Sequence, residues 1–222
     1  MQDLLDHLQL DMEISRHTSR RMEDYYTVIS GRLRALLNTC GKIFDCSEGY
    51  PIEKLLELPL IIELNGLGDY EHDFLVLMFL SWIYHYRLEN GWTNIHIIGI
   101  DDCHRVFSST KEKQYALGFP LVNKILDEIR SLGEGILASD QYPTQVVHAL
   151  IANSYCKIVG ALGSGEDVRK IASCMASDPE EIAEIGQVIQ SLSDKGFWVV
   201  KISDRYTKPF TCLLYTYPRP RD

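Results

Sequence analysis

The chain has 222 residues, of which 45% are hydrophobic, 24% charged and 10% aromatic. That length accommodates one domain, or one domain with an extension, and it buries a core without a disulfide or metal staple. The composition excludes intrinsic disorder and fibrous repeats for the whole chain, and a net charge of -9 (31 Asp and Glu against 22 Lys and Arg) excludes a generally basic nucleic-acid surface while leaving room for a local basic groove.

In chain order, the first forty residues read as helix. Met22, Tyr25, Tyr26, Ile29, Leu33, Leu36 and Leu37 recur at three- and four-residue steps, and Gly41 is the expected stop. The other face carries Arg16, Arg20, Arg21, Arg32 and Arg34, read as a solvated basic face. Cys40 and Cys46 follow; no CxxC pair occurs here or later, so a structural zinc site has little support. Residues 60–64 (Leu-Ile-Ile-Glu-Leu) end in Asn65-Gly66-Leu67-Gly68, a strand and turn pattern. Asp69 is placed to cap a helix over 70–88 that is apolar almost all round and therefore buried on several sides or at an interface. Its apolar stretch is too short to span a bilayer and residues 1–10 carry Asp3 and Asp6, so neither membrane nor leader is expected and a reducing cytoplasm is the expected setting.

Strands are expected over 95–100, 135–139 and 156–162, with helical spacing at Leu121, Ile125, Leu126 and Ile129 between the first two. Cys156 and Cys212 sit in apolar runs and read as buried free thiols. Helices are expected over 166–176 and 179–192, the second with Asp178 as cap and Pro179 first. Residues 197–202 and 210–215 read as paired antiparallel strands at a sheet edge, and 218–222 as a frayed tail. Strands alternating with helices indicate an α/β fold, a mostly parallel sheet with helices on both faces, preceded by an N-terminal helical segment. The expected division is 1–42 helical segment, 43–217 core and 218–222 tail.

Polar residues collect where the apolar strands end, which is where open α/β sheets bind ligands. Ile97-Ile98-Gly99-Ile100-Asp101-Asp102 delivers two carboxylates to a sheet edge on opposite faces of a strand. One suits Mg2+ or its water shell, and the other suits orienting an attacking water. A plain loop acid pair or helix cap is the alternative reading. Gln141, at the end of the next strand, can hydrogen-bond a terminal phosphate or the attacking water.

Asp101-Asp102-Cys103-His104, the segment from Leu126 through Arg130 to Gly133, and Ser139-Asp140-Gln141-Tyr142-Pro143 resemble, in order, the Walker B, arginine-glycine and glutamine motifs of the HerA–FtsK ATPases. The resemblance covers residues 43–202. It implies the C-terminal part of a RecA-like P-loop ATPase core, ATP and Mg2+ as cofactors, DNA as partner, a homo-oligomeric (hexameric) ring, and it admits a nuclease partner. By this resemblance Asp101 supports the Mg2+ through water and Gln141 senses the terminal phosphate. Arg130 reaches a neighbouring subunit's nucleotide, with Arg169 as second candidate; a surface salt bridge is the alternative for both. Asp102 stands where the family usually has glutamate, one methylene longer. His104 matches a family histidine, and Arg105, Lys111 and Lys113 resemble a channel loop whose alternative is solvated charge. The family's phosphate loop, GxxxxGK[ST], does not occur in these 222 residues. The chain is therefore read as a piece of a longer ATPase or a degenerate paralogue, weak in nucleotide binding and inactive alone. Two other readings stand beside it: a non-catalytic oligomerisation or partner-binding module, and a metal-dependent nuclease using Glu63, Asp101 and Asp102.

Overall fold

Helical periodicity governs the first of two units into which the chain divides, Met1–Met78 and Phe79–Asp222. The computed structural model describes residues 2–14, 20–44, 46, 48–91, 94–110, 120–192 and 196–213. In the first unit, α1 (Gln2–Ile14), α2 (Arg20–Phe44) and α3 (Ile52–Glu57) bury Leu5, Leu33, Leu36, Cys40 and Ile52. The α2 members of that set keep three- and four-residue spacing, but the stripe is shorter than the sequence suggests: Tyr25 and Ile29 are exposed. Helix α2 kinks at Cys40 (φ -124°, ψ 16°), one residue before the expected stop, and resumes to Phe44. The strand expected at residues 60–64 does not form. Leu60, Ile61 and Ile62 are exposed and irregular, since a strand needs a neighbour's N–H and C=O groups and an apolar run supplies none. Helix α4 (Asp69–Asn90) takes Asp69 as its first residue, and the Gly68 carbonyl accepts from His72 N at 2.9 Å. Its buried residues are Leu75, Leu80, Tyr84 and Arg87, whereas Trp82 and Leu88 are exposed.

The second unit continues with β1 (His96–Ile100), α5 (Pro120–Glu128), β2 (Glu134–Ala138), α6 (His148–Asn153), β3 (Cys156–Val159), α7 (Gly165–Ser173), α8 (Pro179–Ser191), β4 (Phe197–Ile202) and β5 (Phe210–Leu213). The fold class is α/β, as expected, but the strands divide into two sheets. β1 and β2 are parallel, with His96 opposite Glu134 and Ile100 opposite Ala138. β3 does not join them; it pairs antiparallel with β4, which pairs antiparallel with β5. The expected mostly parallel sheet is thus one parallel ladder and two antiparallel ones. One face of the parallel pair is open, with Ile97 64% and Leu137 67% exposed.

Capping fixes the two helices before β4. Ser164 Oγ accepts from Glu166 N and Asp167 N at the start of α7, and Asp178 Oδ1 accepts from Glu180 N (2.9 Å) and Glu181 N (3.2 Å) at the start of α8. In β3 the alternation runs opposite to the thiol reading. Cys156 is exposed and Lys157 is buried, its Nζ donating to Ser154 O (2.6 Å) and Ala152 O (3.4 Å) where α6 ends; Cys212 is half-buried. Burial lowers the Lys157 pKa from its ordinary value, and the two carbonyls give the ammonium acceptors. At the end of β3, a side chain on Gly160 would meet the Trp198 ring at 2.8 Å, so glycine is the residue that fits.

The parallel pair is closed at its start by a buried network. Glu134, 2% exposed, accepts from Arg87 Nε at 2.6 Å through Oε1 and lies 2.6 Å from His96 Nδ1 through Oε2. Tyr84, one turn before Arg87 on α4, donates its hydroxyl to Glu128 at the end of α5. Replacing Glu134 with alanine leaves the Arg87 guanidinium buried and unpaired, and is expected to cost about 3–5 kcal/mol in a urea titration, whereas Arg87→Met with Glu134→Leu costs less.

Candidate active site

The register of β1 and β2 brings their ends together, and backbone hydrogen bonds carry the pairing past the last strand residues. Ser139 N donates to Ile100 O (3.0 Å) and Cys103 N donates to Ser139 O (3.1 Å). Side chains follow the same seam. Ser139 Oγ donates to Asp101 Oδ1, which also accepts from Asp102 N at 3.1 Å. Asp140 Oδ2 accepts from His104 N (2.7 Å) and lies 2.8 Å from His104 Nδ1, while its Oδ1 accepts from Tyr142 N (2.8 Å). The Tyr142 and His104 rings meet edge to face at 6.0 Å. Further along, Val147 N donates to Phe107 O at 2.8 Å and Ser109 Oγ to Thr144 O at 2.9 Å. Helix α7 anchors the far loop: buried Asp167 accepts from Thr144 N at 2.8 Å, and Lys170 Nζ donates to Val146 O at 2.6 Å.

This seam sets the electrostatics. Burial alone pushes the Asp140 carboxyl upward, but the amides of Tyr142 and His104 and the His104 ring outweigh it and hold the pKa below the ordinary value. Cys103, buried beside that carboxylate, has its thiol pushed up to about 12, by burial first and by Asp140 second. It is an inert thiol, not a nucleophile.

The structure gathers Asp101, Asp102 and Gln141 at one end of the parallel pair. Asp101 is exposed, and its Oδ2 has no hydrogen-bond partner among the described residues. Asp102 is half-buried with left-handed backbone (φ 47°, ψ 50°), a conformation that Asp tolerates better than longer side chains. Gln141 is exposed and its side chain has no partner among the described residues. Arg130 does not join them. It lies in the 3-10 turn Ile129–Leu132 before β2, one strand length, or about 17 Å for five residues, from that end. Arg169 is exposed on α7, between the two residues that hold the 144–146 loop. Of the expected channel loop, Arg105 is exposed, and Lys111 and Lys113 lie outside the described residues. No group of three or more His, Cys, Asp or Glu gathers as a metal cage among the described residues.

Sequence reasoning missed Asp140, Ser139, Asp167 and Lys170 as the residues that hold the site. Asp140 carried a local signal, an Asp two residues before an amide it can accept from; the others act through partners distant in sequence.

Because the Asp140 pKa is depressed on folding, its contribution is full above the unfolded value, about pH 4, and fades as pH falls through the folded one. Asp140→Asn is therefore expected to cost about 1–2 kcal/mol at pH 7, and the gap to the parent should narrow as pH falls below the unfolded value, read by urea midpoints at each pH. At Asp102 the backbone decides: Asp102→Gly should stay within about 0.5 kcal/mol of the parent, and Asp102→Glu should lose about 1 kcal/mol in thermal unfolding.

No protein-family model and no curated protein matches the sequence. Among solved structures, the chain is similar to the genome packaging NTPase B204 of Sulfolobus turreted icosahedral virus 2. Its complex with ATP-gammaS aligns over 74% of this chain and 71% of that one, with 13% identity and a TM-score of 0.51. Its AMP complex aligns over 73% and 71%, with the same identity and score. The AMPPCP complex aligns over 60% of each chain, with 15% identity and a TM-score of 0.47. The chain thus spans 60–71% of the length of the solved structures it matches, and it shares the α/β NTPase fold of the ATP-gammaS and AMP complexes.

Proposed function

We propose that this chain carries the Walker B and glutamine parts of an ATP-hydrolysing core of the HerA–FtsK type that moves DNA. The single observation that supports it is the seam just described, which holds Asp101 and the Ser139-Asp140-Gln141 turn at one sheet edge. Asp101, exposed with one oxygen unpartnered, suits Mg2+ through water; the ion, when bound, neutralises charge on the phosphate oxygens. Asp102 orients or deprotonates the attacking water, at shorter reach than a glutamate. Gln141 hydrogen-bonds the terminal phosphate. Arg130, a strand length from its own Asp101, takes from the resemblance the role of reaching a nucleotide held by another copy, and the homo-oligomer, a hexameric ring in that family, rests on the same resemblance. Arg169 is the second cation available. The DNA part of the reading rests on the resemblance and on the likeness to a genome packaging NTPase.

A second reading, a partner-binding or oligomerisation module on the same fold, is favoured by the exposed Ile95, Ile97 and Leu137. Titration calorimetry with ATP separates the two. With no GxxxxGK[ST] in these 222 residues, the ATPase reading expects a Kd weaker than about 1 mM (about -4 kcal/mol) and phosphate release at the protein-free rate. It also expects the Mg2+-dependent part of binding to disappear in Asp101→Ala and to fall in Gln141→Ala. Binding that ignores both substitutions leaves the module reading, and robust turnover by this chain overturns its expected inactivity.

A further inference from the structure

The loop joining β4 and β5 combines features that the nucleotide site does not use. The antiparallel register runs from Phe197 opposite Leu213 to Val200 opposite Phe210, which leaves residues 203–209 as a projecting loop. Lys201 holds it from within, Nζ donating to the carbonyls of Tyr206 (3.1 Å) and Thr207 (2.6 Å), and Tyr206 N closes back on Ile202 O at 3.3 Å. Asp204 takes the left-handed turn at φ 64°. Residues 205–210 line an open concavity of about 600 Å³.

Its walls are aromatic and cationic. The Tyr206 ring meets Phe210 edge to face at 5.1 Å, and the Arg205 guanidinium lies 6.0 Å over the Tyr206 ring. Tyr206 is 47% exposed and Phe210 37%. Lys208 is exposed and has no ion-pair or hydrogen-bond partner among the described residues. The strands and loop have the same bias: residues 197–213 hold three Lys and Arg (Lys201, Arg205 and Lys208) against one acid, Asp204. In a chain of net charge -9 this is a local reversal of sign.

A planar ring braced by Phe210 and about half open to solvent, with Arg205 against it and exposed Lys208 two residues on, matches one repeating chemical unit: an unstacked base followed by its phosphates. A duplex hides its base faces and offers such a ring nothing to stack on. We infer that the β4–β5 loop is a binding site for single-stranded nucleic acid, one base stacking on the exposed Tyr206 ring that Phe210 braces edge-on, while Arg205 and Lys208 take the flanking phosphates. The loop shares no residue with the Asp101–Gln141 edge, and the inference does not require the ATPase reading.

The test uses the full chain without ATP. Fluorescence anisotropy with labelled 15-nucleotide dT and rU strands, a duplex of the same length and dTMP as competitor is read across a salt series. Binding is expected to either strand, tighter than to duplex, with little competition by dTMP. Tyr206→Ala should weaken it about 5- to 100-fold, and Tyr206→Phe should leave it unchanged. Arg205→Ala with Lys208→Ala should weaken it about 10-fold and reduce the slope of log affinity against log salt by about 1–2. If Tyr206→Ala fails to fold by circular dichroism, the Lys208 substitution and the strand-against-duplex comparison still decide. Equal affinity for duplex, competition by dTMP at strand-like concentrations, unchanged affinity in a folded Tyr206→Ala, or no binding at low salt each overturns the inference.

Discussion

A carboxylate that cannot be left alone organises the second unit. Glu134 opens β2 with almost no access to water, and burying an ion this completely is tolerable only when both oxygens are engaged. Arg87 of α4 takes one and His96 at the start of β1 the other. Since His96 is also the backbone partner of Glu134 in the parallel ladder, this side-chain bond works against a register slip. A shift of one residue would turn Glu134 to the other face and strand the guanidinium. The alignment at the start of the strands therefore sets where Ile100 and Ala138 end, and with them the Asp101 and Ser139 that follow.

At the other end the same logic recurs with a different acid. Asp140 gathers donors from His104 and from Tyr142, so one carboxylate ties the loop after β1 to the turn after β2. The tie leaves the groups best suited to chemistry uncommitted: Gln141 next to Asp140, and the second oxygen of Asp101. The residues that position are paired, while Gln141 and the second oxygen of Asp101 are exposed and without a partner among the described residues. This division of labour is common at the mouths of α/β sheets, where a rigid seam presents short loops.

Much of this was legible in the residues, and the parts that were not share a cause. The strands at 96–100, 134–138 and 197–202 were readable because β-branched and aromatic runs end abruptly in turn or acidic residues. Helix α8 announced its first residue through Asp178 and Pro179. The acids at the end of β1 could be picked out as a candidate edge for the same reason. Residues 60–64 have equally good strand composition yet form none, because whether an extended run finds a ladder is decided by what lies beside it. The direction of β3 and the outward turn of Cys156 are likewise set by β4, more than forty residues later in the chain, as are the roles of Asp167 and Lys170 by a loop some twenty residues away. Local sequence carries propensity; partners at long range carry pairing and orientation.

The open face of the parallel pair has a colloidal consequence. Ile95, Ile97 and Leu137 present apolar surface that in water is held apart from its like by little more than the chain's surplus of acids. That surplus vanishes near the isoelectric point, about 5.3. As pH falls toward that value mutual repulsion fades while the apolar face stays as it was, so mild acidification favours association through such apolar surface. Sulfate and other salts excluded from protein surfaces push the same way. The sheet that aligns the acids at its edge thus also sets the solution conditions in which the chain stays dispersed.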